Sequence, residues 1–175
     1  MTRPESLSRL SRKLLACLLA LMPLLPAAAA DAPDDVPMTD KLAAELARLP
    51  NDGVLVLMFS LPDCHYCEGV RDGYLKPLAR DPLRRTMFRV REISLGLELP
   101  ITDFDGSAST IQTLSKRLKL HMAPTLMFVD RCGRELADRL VGGDVAGFYN
   151  SYFEQTLKEA RAKAKETAGL ACTAS

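Results

Sequence analysis

Cys64-His65-Tyr66-Cys67 is the stretch of this sequence whose residue types and spacing suit covalent chemistry. Two thiols so spaced can exchange disulfides when one of them is ionised, because the thiolate is the attacking species. An apolar run from Val54 to Phe59 ends just before the pair. A helical pattern starts at Cys64, with Val70, Tyr74 and Leu78 at four-residue spacing. Cys64 is therefore expected at a helix N-terminus, where unpaired N–H groups and the positive end of the dipole stabilise a thiolate. Cys67, one turn inside, is expected to resolve the mixed disulfide. His65 reads either as a second positive charge beside the sulfur or as a solvent-exposed loop residue, and Tyr66 as a packing or substrate-contact residue.

Two more cysteines, Cys132 and Cys172, stand apart. Cys132 falls in an expected turn at the far end of a strand, roughly 20 Å from the pair at ~3.3 Å per residue. The last helix should run back toward that end, so a structural Cys132–Cys172 disulfide is expected, with two independent thiols as the alternative. His121, three residues before Pro124, offers a different chemistry: with Cys64 and Cys67 it would make a copper or zinc site. Its plainer reading is a helix-end histidine favoured by the dipole. No resident metal and no cofactor are expected, since no phosphate-binding glycine loop or Ser-His-Asp set stands out.

The elements that must position these residues follow from periodicity. A helix is expected over about Thr39 to Leu49, and Val54 to Phe59 reads as a strand covered on both faces. The Cys64 helix should run to about Arg80 and bend at Pro77. A second strand spans Met87 to Leu95, with imperfect alternation of Phe88, Val90 and Ile93, and residues 96–108 read as loop. Ser109 with Gln112 matches a capping box for a helix carrying Ile111, Leu114 and Leu118. Thr125 to Val129 is a third strand, with Glu135 to Val141 as its hairpin partner. Asp144 is expected to cap a final helix with Val145, Phe148, Tyr149, Tyr152, Phe153 and Leu157 on one face. From Lys163 the chain should be charged and then frayed.

The first thirty residues read as a cleaved secretory signal peptide: Arg3, Arg9, Arg12 and Lys13, an apolar run from Leu14, and Ala28-Ala29-Ala30 as the cleavage site. The 17 residues from Leu14 to Ala30, broken by Pro23 and Pro26, are short for a membrane span of ~20 apolar residues. Cys17 has almost no apolar stretch before it, which argues against lipidation. Removal takes away four basic residues and one acidic one, leaving 19 Lys and Arg against 21 Asp and Glu, a net charge of −2. With no basic block, nucleic acid is not an expected partner. Four cysteines in the remaining 145 residues are too sparse for a disulfide scaffold, so one apolar core must hold the fold.

Three features together resemble the thioredoxin superfamily, and in detail the periplasmic thioredoxin-related reductases. These are the strand ending at Phe59, Cys64-His65-Tyr66-Cys67 opening a helix, and Met122-Ala123-Pro124-Thr125 starting a strand. Thr102-Asp103-Phe104-Asp105-Gly106 and Asp130-Arg131-Cys132-Gly133-Arg134-Glu135 look like the branch associated with sulfur-oxidation gene clusters. The resemblance covers roughly residues 53–158. It implies an α/β thioredoxin-like fold, with a mixed central sheet of about four strands flanked by helices. It also implies a cis Pro124 against the redox pair, with Ala123, Pro124 and Thr125 shaping the substrate groove.

The expected organisation is a signal peptide over 1–30, a leader and N-terminal helix over 31–52, the domain over 53–165 and a flexible tail over 166–175. The expected activity is periplasmic thiol:disulfide exchange with client proteins, as a monomeric reductase recharged by a membrane electron carrier; a copper-binding module using His121 is the alternative. The chain departs from thioredoxins at Asp63, Met58 and Ala123, the last standing where Thr or Val is commoner. Asp63 stands where they carry a Trp, and Met58 where they carry a buried Asp that accepts a proton from the resolving thiol.

Overall fold

The computed structural model describes residues 35–96 and 98–172. The signal peptide expected over residues 1–30, Cys17 included, lies outside them. Among the described residues no helix is long and apolar enough to cross a membrane.

The centre of the domain is β1 (Val54–Ser60), buried at every position. Side chains alternate across a strand. Val54, Val56 and Met58 accordingly enter one apolar cluster, and Leu55, Leu57 and Phe59 the other. β1 pairs in parallel with β2 (Phe88–Ser94) and antiparallel with β5 (Thr125–Val129), which carries the short edge strand β6 (Leu140–Val141). The result is a mixed four-stranded sheet in the order β2-β1-β5-β6. On one face lie the helices that follow Cys64 and the last helix, α5 (Tyr149–Thr167), which supplies Tyr149, Phe153, Leu157, Ala160 and Ala164. On the other lie α1 (Leu42–Ala47) and α4 (Ile111–Arg117), through Leu42, Leu46, Ile111 and Leu114.

Several expected elements are corrected. α1 is shorter than Thr39–Leu49, because the residues before it pair as strand: Thr39 N–H donates to the Glu92 carbonyl at 2.9 Å, Met38 bridges to Glu92, and Lys41 bridges to Thr102. The run from Cys64 to Arg80 is α2 (His65–Val70), a π turn (Arg71–Leu75) and α3 (Lys76–Arg80). Pro77 has no N–H to donate into the preceding turn, and the widened turn just ahead of it is where the ladder adjusts. The loop expected over 96–108 holds an antiparallel pair, β3 (Pro100–Thr102) and β4 (Ala108–Thr110). Ser109 is in that ladder opposite Ile101, so Thr110 caps α4, its Oγ1 accepting the Thr113 N–H at 3.1 Å.

The partner of β5 is interrupted. Leu136 N–H bonds the Phe128 carbonyl, then Arg139 turns aside to Glu135 at 2.6 Å before β6 resumes. Asp144 does not cap α5: its carboxylate accepts from Gly147 N–H at 2.7 Å and from the Tyr74 hydroxyl at 3.0 Å, in the turn ahead of the helix. Val145, Phe148 and Tyr152 are exposed rather than on the buried face. The helix continues past Lys163 because Ala160 and Ala164 extend its apolar stripe.

Candidate active site

Cys64 is the N-cap residue of α2, extended at φ −95° and ψ 97°, and its Sγ accepts the Cys67 N–H at 3.2 Å. The two cysteines are joined as a disulfide with their Cα atoms 5.2 Å apart. They differ in access: Cys67 is fully buried and Cys64 partly exposed. A reagent from solvent therefore meets Cys64 first. When the bond is reduced, the outer sulfur is the one at the helix mouth, with an N–H already aimed at it and the dipole behind it. Asp63 makes the sharp entry turn at φ +53°, a left-handed conformation that a short polar side chain tolerates.

The loop carrying the pair is fastened on both sides. Leu95 N–H donates to the Ser60 carbonyl at 2.7 Å, and the Pro62 ring lies so close to Gly96 that a Cβ there would come within 2.4 Å of Pro62 Cδ. On the other side Tyr66 packs on the backbone of Gly143, where a Cβ would sit 2.8 Å from Tyr66 Cδ1. Gly142 N–H in turn bonds the Pro124 carbonyl at 2.8 Å. Tyr66, the Gly142-Gly143 turn and Pro124 thus form one run of contacts.

The Ala123–Pro124 peptide is cis, the isomer the resemblance implied. Thr125 lies opposite Phe59 in the sheet, so Pro124 leaves the sheet at the end from which the Cys64 loop also leaves. Ala123 is half-buried, while Pro124 and Thr125 are buried, Thr125 tying the turn through a 2.7 Å bond to the Met122 carbonyl. His65 projects into solvent, 93% exposed, with Nδ1 4.0 Å from Glu68. His121 is exposed, and among the described residues no group of three or more His, Cys, Asp or Glu side chains is placed to hold a metal.

Cys132 and Cys172 form the second disulfide, with Cα atoms 5.1 Å apart. Asp130, 2% exposed, builds the turn that presents Cys132: its carboxylate accepts from Cys132 N–H at 2.8 Å and Arg134 N–H at 3.0 Å, and pairs with the Arg134 guanidinium at 2.7 Å.

Sequence reasoning missed Glu92. It is 3% exposed on β2 beside Met58, accepts the Ser60 hydroxyl at 2.5 Å and takes two N–H bonds from Arg71, at 2.8 and 2.6 Å. The hydrogen bonds that Arg71 donates to Glu92, opposed by burial, raise the Arg71 pKa, so the guanidinium stays charged. Its signal was the broken alternation: Phe88, Val90 and residue 92 share the buried face, and a charged residue there needs a partner. Cys64, Glu68, Arg71, Glu92 and Ser60 line one groove.

No protein-family model and no curated protein sequence matches the chain. Solved structures do. A thioredoxin-fold protein from Helicobacter pylori superposes with a TM-score of 0.51 at 18% identity, covering 81% of this chain and 97% of that one. Thioredoxin from Trypanosoma brucei brucei gives 0.49 at 12% identity, covering 75% and 94%. With its mixed four-stranded sheet flanked by helices and a Cys-x-x-Cys pair at the mouth of the first helix after β1, the domain has the thioredoxin-like fold.

Proposed function

We propose that this protein is a thiol:disulfide oxidoreductase acting on client proteins in an exported, oxidising compartment, and that it works as a reductase. The observation that carries the reading is the pairing of a solvent-accessible Cys64 at a helix mouth with a buried Cys67 one turn behind it. In the forward direction the Cys64 thiolate attacks a client disulfide, forming a mixed disulfide and expelling one client thiolate, which takes up a proton. Cys67 then loses its proton and attacks Cys64 Sγ, releasing the second client thiolate and leaving the Cys64–Cys67 disulfide. The client gains two electrons and two protons; the protein gives up both electrons and the Cys67 proton, and the other proton comes from water, to which Cys64 released its own on ionising. A membrane-bound dithiol carrier would return the electrons. The signal-peptide pattern before Asp31 supports the compartment, and Ala123, Pro124 and Thr125 with Tyr66 supply the groove wall for an extended client segment. The likeness of residues 102–106 and 130–135 to the sulfur-oxidation branch supports clients from such a system.

The test is the reduction potential of the couple against glutathione, together with catalysed reduction of insulin disulfides. A potential below about −250 mV with insulin reduction supports a reductase. A potential above about −150 mV makes the protein an oxidant, and a pair that never equilibrates with glutathione removes the activity altogether.

A further inference from the structure

The exchange steps use Cys64 and Cys67 and leave a buried ion pair in the same groove without a task. Arg71 lies four residues past Cys67 and seven past Cys64, positions that share one side of a helix, and it lines the same groove as Cys64. Glu92 comes up from β2 beside Met58 and holds two of the Arg71 N–H groups, with the Ser60 hydroxyl on the same carboxylate. The side chains are 21% and 4% exposed. A buried pair of this kind adds little over apolar packing, because taking both charges out of water costs about what their attraction returns.

The other charges around the pair are accounted for. Asp63 and Glu68 border the groove and are exposed, and His65 points into solvent. Asp35 and Asp72 act on Arg71 at a distance but bind Lys76, at 3.3 and 2.8 Å. Glu92 is therefore the carboxylate that neutralises Arg71 inside the groove.

A thiolate exists only in the reduced form of the couple. An uncompensated guanidinium beside it would stabilise that form and make the disulfide easier to reduce. We propose that Glu92 is a positioning residue that keeps the Cys64–Cys67 couple reducing, by cancelling the Arg71 charge in the groove onto which Cys64 opens. This rests on the exchange activity proposed above.

The test compares the full chain with Glu92→Gln and with the double variant Arg71→Met/Glu92→Gln. Glutamine keeps an acceptor for Ser60 and Arg71, and the paired replacement leaves no lone buried charge; unfolding midpoints check that both fold. Glu92→Gln is expected to shift the equilibrium with glutathione about tenfold toward the dithiol, or about 30 mV less negative, and to lower the pH midpoint of Cys64 alkylation. The double variant is expected to return within about twofold of the parent, since the charge that caused the shift is gone. An unchanged Glu92→Gln equilibrium overturns the inference, as does a double variant that keeps the shift, which would trace it to loosened packing. A parent couple that never equilibrates overturns the proposed function as well.

Discussion

The two ends of the central sheet are built on opposite plans, and each holds a disulfide. At the end where β1 finishes, Cys64 and Cys67 are three residues apart in sequence, and their loops are held by backbone bonds and glycine contacts. Leu61, Tyr66 and Met122 stand exposed there. At the end where β1 begins, Cys132 and Cys172 are separated by 40 positions. Arginine hydrogen bonds brace that end: Arg161 on Asp52 at 2.6 Å, Arg131 on Asn51 at 2.7 Å, and Arg134 bridging Asp130 and the Thr167 carbonyl. A cross-link over a long loop removes much entropy from the unfolded chain, and one over a short loop removes little. The same bond is thus a structural clamp at one end and leaves the other free to do chemistry.

The most direct way to break this contrast is to remove one sulfur from each end. Cys64→Ser should abolish insulin reduction to the uncatalysed rate while moving the denaturant midpoint little. Cys132→Ser should do the reverse, retaining exchange but losing about 4 kcal/mol of stability by urea unfolding. If Cys132→Ser stops exchange, or Cys64→Ser costs the stability, the division of labour is wrong.

A smaller effect sharpens the picture at the site end. Gly143→Ala pushes a Cβ into the Tyr66 ring, at a cost of about 1 kcal/mol. Reduction of a folded client should slow, while reaction with a small aromatic disulfide, which needs only Cys64, should keep its rate. Smallest is the brace at the far end. The hydrogen bond from Arg161 lowers the Asp52 carboxyl below its ordinary 3.8, burial opposing it. A carboxylate with a depressed pKa in the folded state stabilises above its unfolded value and loses that contribution as pH falls through the folded one. Asp52→Asn should therefore cost about 0.5 kcal/mol at neutral pH, the side chain being partly exposed, and the difference should shrink as the pH falls below the ordinary 3.8. An equal loss at both pH values would assign the effect to packing.

What could be read in the sequence tracks how each element is held. β1 was legible because burial on both faces demands an unbroken apolar run, and the redox pair because its chemistry depends on local spacing. Pro124 was legible only through the family resemblance. β3 and β4 were not, since three polar-flanked residues carry no period and form a ladder only by finding each other. Asp144 misled because an acidic residue before a helix reads as a cap, whereas Tyr74, distant in sequence, claims it along with a nearer turn N–H. Glu92 escaped because a charge inside a strand is explained only by Arg71, from another element. The short-range signals spoke for the site, and the long-range polar ties stayed silent.

The Cys132–Cys172 bond also closes a covalent ring containing β6, Gly143 and all of α5. A protease that cuts the exposed stretch around Val145 leaves both pieces tethered, so a nicked molecule runs as one band on a gel without reductant and as two with it. Damage beside the groove then cannot shed the helix that backs the sheet.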